Sequence, residues 1–207
     1  MEASMKVLFC KISCMNFYKG ACDLDIPYNG GSFVKENGYG HEENNFNAVI
    51  DEEGNDICLG FVETKTSRSG KSNELHIERI PECEYLKKDD FVEDVLVIWC
   101  ATTSLNETSI VGWYNHATVY RNYCSCDIEG YEQVFNIVAD KNDCVLIPHT
   151  YRHELRWNAP VAKKKGFGFG QSLVWFPTGD DEIQYAEEKA KIIAEYRGPN
   201  WIDVFPE

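Results

Sequence analysis

Apolar and polar positions along the chain fall mostly into short runs of strand type. The segment 5–12, MKVLFCKI, is apolar, short and rich in β-forming residues. In 56–64, DICLGFVET, alternation places Ile57, Leu59 and Phe61 on one face. The segment 75–80, LHIERI, alternates in the same way until Pro81 ends it. The strongest stretch is 94–101, DVLVIWCA, which is continuously apolar, as expected of a strand covered on both faces. Polar TTSLNETS makes a turn, and IVGWYNHATVYR, 110–121, returns as a second strand. A period of two puts Trp113, Asn115, Ala117 and Val119 on one face, with Tyr114, His116, Thr118 and Tyr120 on the other. QVFNIVA (133–139), DCVLIP (143–148) and SLVWFP (172–177) add further short strands.

One segment has helical spacing. Ile183, Ala186, Ala190 and Ile193 form a stripe, Thr178 with Asp181 resembles a capping box, and Gly198-Pro199 ends the element. The acidic first turn suits the positive end of the helix dipole. About eight short strands and one late helix predict an α+β fold: a β-rich curled barrel with an elaborated amino-terminal third and a C-terminal helix. No repeat or long linker interrupts residues 1–207, so a single domain is expected, with 1–90 as the elaborated part, 91–177 as the core and 178–197 as the helix.

Composition narrows the class. With 43% hydrophobic and 13% aromatic residues, the 207-residue chain is expected to fold around one good core or two small ones. No apolar run approaches the ~20 residues of a membrane span. No secretory signal pattern is visible at the start, so a cytoplasmic location is expected. Nine cysteines, an odd number, are read as free thiols. Cys10/Cys14 and Cys124/Cys126 lack the partner pair of a structural zinc site, HExxH is absent, and neither a metal nor a cofactor is expected. Twenty Lys and Arg against 34 Asp and Glu give a net charge of −14, which opposes non-specific nucleic-acid binding. The one basic run is Lys163, Lys164 and Lys165, beside the glycine-aromatic segment GFGFG.

The arrangement DDFVEDVLVIWCATT…IVGWYNHATVYR resembles the core hairpin of PUA-like domains, in particular the EVE and YTH branch. There an apolar strand ending in an aromatic is followed by a turn and a strand beginning Ile/Val-Val-Gly. GGSFVKENGYGHE, VGWYNHATVYR and the late GFGQS-VW segment also resemble bacterial proteins and amino-terminal modules of endonuclease-like proteins. EVE and YTH domains bind a modified or flipped base in an aromatic pocket. The resemblance therefore implies a PUA-like barrel and a reader of bases or related small molecules, with Trp99, Trp113 and Tyr114 where pocket walls would stand.

The candidate site residues follow. Trp113 shares a strand face with Asn115, and Tyr114 shares the other with His116, so either pair offers a ring and a polar reader. The alternative is that these rings fill the core. The loop 30–46, with Tyr39 and the pair His41/Glu42, is read as a lid over the ligand; it has no Walker-type phosphate-loop context. Gln171 and Trp175 follow flexible glycines, and Lys163, Lys164, Lys165 and Arg152 are candidate phosphate contacts.

Three functions compete. The first is a non-catalytic reader of a modified base, nucleotide or modified nucleic acid, linked to modification-dependent restriction or phage defence with a nuclease or defence partner. The second is a small nucleoside- or nucleic-acid-processing hydrolase using His41 and Glu42 as acid and base. The ASCH type, related to the PUA class, works with Lys, Thr and Glu, and VETKT (62–66) holds all three, but alternation separates Thr64 from Glu63 and Lys65. The third is an acidic interaction protein imitating nucleic acid.

Overall fold

A computed structural model describes residues 5–29, 40–64, 74–103, 107–128, 130–162 and 167–206. It contains a mixed eight-stranded sheet made of β1 (Val7–Ile12), β2 (Ala48–Ile50), β3 (Asp56–Gly60), β4 (Phe91–Thr102), β5 (Thr108–Ile128), β6 (Tyr131–Asp140), β7 (Cys144–Leu146) and β8 (Val174–Trp175), followed by one helix, α1 (Asp180–Ala194). The order is β2-β3-β6-β5-β4-β1-β8, with β7 pairing on β5. β1 runs parallel to β4, and the other pairs are antiparallel. β2 and β8 end the order without pairing to each other, so the sheet is open rather than closed into a barrel.

The continuous apolar run of β4 has the expected cause. Val95, Val97, Trp99 and Ala101 enter one core with Leu8, Tyr18, Phe46 and Tyr114. Ile98 and Cys100 enter a second core on the opposite face, with Phe9, Trp113, Trp157 and Trp175. Helix α1 closes this second core with Ala186 and Ile193. Each large side chain fully buried in this way contributes about 1.5–3 kcal/mol.

Several expectations shift. Residues 75–80 are not a strand: Ile77–Arg79 is a short 3-10 turn, and Leu75, Ile77 and Ile80 are all buried in the first core. Their spacing of two and then three residues suits one turn packed under β5, where the Leu75 amide donates to the Arg121 carbonyl at 2.7 Å. The strand at 56 stops at Gly60 because side-chain amides take over the backbone partners. Asn45 Oδ1 accepts from the Phe61 amide at 2.9 Å, and Asn136 Oδ1 accepts from that of Val62 at 3.0 Å. β5 runs past Arg121 to Ile128, and the short β2 was not expected. The helix is capped one residue later than expected, with Glu182 accepting from the Thr178 and Gly179 amides at 2.9 and 3.3 Å. Its buried face carries Ala186, Lys189 and Ile193, and Ile183 is exposed.

The coil after β1 is held from two sides. Asp25 accepts from the amides of Asn16, Phe17 and Tyr18 at 2.6, 2.7 and 3.2 Å. The buried Arg152 donates to the carbonyls of Met15 at 2.5 Å, Asn16 at 2.8 Å and Ile147 at 2.9 Å. Asp25 and Arg152 thus serve the donors and the acceptors of one short loop, which fixes Tyr18 at φ 54°. Replacing Arg152 by Leu leaves three carbonyls without donors. Urea unfolding of Arg152→Leu is expected to show a loss of about 3–5 kcal/mol; a loss below about 1 kcal/mol refutes the clamp.

Candidate functional site

The pairing of β4 with β5 slips twice within a few residues. Val97 faces Tyr114 and Val95 faces Ala117, so Asn115 and His116 together oppose Leu96. Val92 then faces Val119, so Glu93 and Asp94 oppose Thr118. These are consecutive β-bulges, one in each strand, and such bulges re-aim side chains. The first resets the alternation: Trp113 lies in the second core, and Tyr114, Ala117 and Val119 lie in the first. The expected common face for Trp113, Ala117 and Val119 is therefore corrected, and Asn115 and His116 leave the core altogether.

Asp94 and His116 occupy their bulges with φ of 62° and 49°. This left-handed region disfavours residues with a Cβ. His116 Nδ1 and Asp94 Oδ1 are 2.7 Å apart, and both side chains are 71% exposed. With Nδ1–H donating to the carboxylate, Nε2 of the neutral ring is left as an acceptor. The hydrogen bond to Asp94 is the main cause that raises the His116 pKa above its ordinary value, and the charge of Asp143 adds to it against partial desolvation.

These residues border a groove of about 510 Å³ between the bulges and the last turns of α1. Met5, Leu96 and Ile193 supply apolar wall, and Asn115 lies beside His116. Lys6, Lys191 and Glu82 supply charge. Glu82 itself has φ 69°, so three of the five described non-glycine residues with positive φ meet at this one groove. Sparsely populated backbone conformations cluster at functional sites, because the surrounding structure must enforce them. The Asn115 carboxamide donates to the Asp143 carbonyl at 3.4 Å.

Of the residues singled out from sequence, Asn115 and His116 come together here. The expected ring walls do not. Trp99 and Tyr114 are fully buried in the first core, their rings edge-on at 5.3 Å. A Cβ added at Gly60 would lie 2.6 Å from the Trp99 ring and 3.1 Å from the Tyr114 ring, so protein already fills this space. Trp113 stacks on Trp157 at 5.7 Å within the second core, and Trp175 packs on Phe9 at 5.0 Å. The placement of these four rings corrects their assignment as pocket walls: both faces of the sheet need them as core. Arg152 is likewise committed to three backbone carbonyls, not to phosphate. His41 packs against Phe61 at 5.0 Å, and Glu42 accepts from the Ser13 amide at 3.3 Å. Gln171 is exposed. Tyr39, Lys163, Lys164 and Lys165 lie outside the described residues.

Asp94, Glu82, Lys6 and Lys191 were missed. For the bulge in β5, though not for these four residues, a sequence signal existed: apolar Trp113 and Tyr114 are adjacent, and the next apolar residue, Ala117, is three positions beyond Tyr114, which breaks a period of two. Among the described residues, no group of three or more His, Cys, Asp or Glu side chains is placed to hold a metal ion, and no helix is long and apolar enough to cross a membrane. Comparison with family models, curated proteins and solved structures returned no match.

Two measurements probe this geometry. The His116 ring, followed by NMR, should titrate above its ordinary ~6.5, and Asp94→Asn should lower the midpoint. Because the folded-state pKa is raised, the pair's stabilising effect is complete below ~6.5 and is lost as pH rises through the folded value. An unchanged midpoint in Asp94→Asn would sink the assignment. Asp94→Gly and Asp94→Ala both lose the His116 hydrogen bond, but only the glycine relieves the left-handed backbone, so Asp94→Gly should be the more stable of the two by about 1 kcal/mol in thermal or urea unfolding. Equal stability of the two variants would mean that the bulge is not strained.

Proposed function

We propose that the protein is a reader of a base, nucleotide or related small molecule, and that the groove over Asp94 and His116 is its binding site. The observation that carries this reading is the convergence of three left-handed residues, Glu82, Asp94 and His116, on one groove. Its volume of about 510 Å³ falls within the range of small-molecule sites. The planar face of a heterocycle lies against Met5, Leu96 and Ile193, aliphatic residues in place of the stacking rings expected from sequence. The edge of the heterocycle meets the Asn115 carboxamide and His116, and Lys6 or Lys191 receives a phosphate or other anionic group. The choice of a base as the ligand class rests on the resemblance of the β4–β5 hairpin to the EVE and YTH branch of PUA-like domains, and a PUA-like ancestry of this open sheet belongs to the same proposal.

Titration with free nucleosides and nucleotides, modified and unmodified, tests it through the His116 ring resonances and calorimetry. At least one ligand should bind at micromolar to millimolar concentration, at least ten times more weakly in His116→Ala and in Lys191→Glu. Silence from the whole series, or affinity unchanged in both variants, removes the groove from the reading.

One observation favours a second reading. The hydrogen bond from His116 Nδ1–H to the Asp94 carboxylate fixes the imidazole so that Nε2 of the neutral ring can take a proton from water, which is the arrangement of a general base. A hydrolase would therefore use His116 with Asp94, in place of His41 and Glu42. Turnover of a nucleoside or nucleotide substrate that survives unchanged in His116→Ala rejects it.

A further inference from the structure

A second, smaller cavity lies elsewhere on the sheet, where β3, the base of the β5–β6 hairpin and the coil after Gly40 meet. Gln133 on β6 is 4% exposed, and its Nε2 has no hydrogen-bond partner. A buried amide donor left unpaired is destabilising, and native structures rarely keep one without an occupant to satisfy it. Gln133 borders a cavity of about 80 Å³ whose other residues with polar side chains are Asn44, Asn47 and Tyr131. Val49, Leu59 and Ile128 supply apolar wall.

We propose that this cavity binds a short-chain carboxylate, such as acetate or propionate. Three features select that chemistry. Three of the four polar side chains on the wall are carboxamides, whose N–H groups donate to an ionised oxygen more strongly than to a neutral one, and the fourth is the Tyr131 phenol. Among the described residues no Asp or Glu borders the cavity, although the chain holds 34 of them and a net charge of −14 repels anions from most of its surface. The aliphatic side is matched to a methyl or ethyl group and offers nothing to a chain of water molecules. At ~30 Å³ of liquid per water the space holds about three unbonded groups, or about four covalently joined heavy atoms as in acetate, and it excludes a nucleobase with its sugar. The carboxylate oxygens meet Gln133 and the two asparagines, and the short alkyl group turns toward Leu59 and Val49. None of these residues belongs to the groove over His116, so the two sites stand or fall separately.

The test is an NMR titration of the 15N-labelled protein with acetate, with acetamide and with sodium chloride at matched ionic strength. Acetate should shift the Gln133 side-chain amide saturably and raise the melting temperature. Acetamide should bind at least ten times more weakly, and chloride should have no saturable effect. Gln133→Leu, which removes the donor at similar size, should abolish both acetate responses. If that variant does not fold, Asn47→Asp places a negative charge on the cavity wall and should abolish the response. Acetamide binding as tightly as acetate, a response common to chloride, or acetate binding that persists in both variants overturns the proposal. An Nε2 satisfied by water alone, with no saturable shift, does so as well.

Discussion

Burial of β4 on both faces is the constraint on which the rest of the molecule depends. A strand with side chains in two cores must have a sheet neighbour on each edge and a covering layer on each side. β1 and β5 provide the edges. The coil after β1, with Phe46 and the turn at 77–79, covers one side, and α1 with Trp157 and Trp175 covers the other. With roughly 25 cal/mol for each Å² of apolar surface removed from water, two large aromatic clusters outweigh any surface ion pair in the chain.

Against that background the opposed bulges stand out as a local exception. A regular β4–β5 ladder would carry Asn115 and His116 into alternate cores, where an amide and an imidazole would need partners. Two slips of register release both side chains, shift Ala117 and Val119 into the first core, and bring Asp94 within 2.7 Å of His116. The cost is two residues with a Cβ in the left-handed region. That burden falls in the same groove as a third such residue, Glu82. The groove and a backbone under strain thus share one origin in the pairing of two strands.

The loops follow a different rule, in which charged and amide side chains replace missing ladder partners. Asp25 and Arg152 serve one loop; Asn45 and Asn136 extend the sheet beyond β3. Arg121 joins Glu78 at 2.7 Å to the carbonyls of Leu86 and Asp89 at 2.7 and 2.9 Å. Arg152, expected at phosphate, is therefore spent on backbone oxygens, because a buried carbonyl without a donor is the more demanding partner. Gln133 is the amide in this scheme whose donor stays unpaired.

Local pattern by itself determined the strand-rich class, the position of β4, the start of β5 and the one helix, since apolar period and capping residues act over a few neighbours. The same pattern marked Asn115 and His116 as polar groups out of place in an apolar run. Tertiary structure alone decided that Trp99, Tyr114, Trp113 and Trp175 are core, because burial depends on what covers each face and the sequence does not say which strands are neighbours. It also decided that 75–80 turns instead of extending, and that Asp94, Glu82, Lys6 and Lys191 surround His116. These residues lie far apart along the chain, and only strand register and the docking of α1 bring them to one groove. A one-residue slip exchanges the two faces of a strand, and nothing short of the assembled sheet records where the slip occurs.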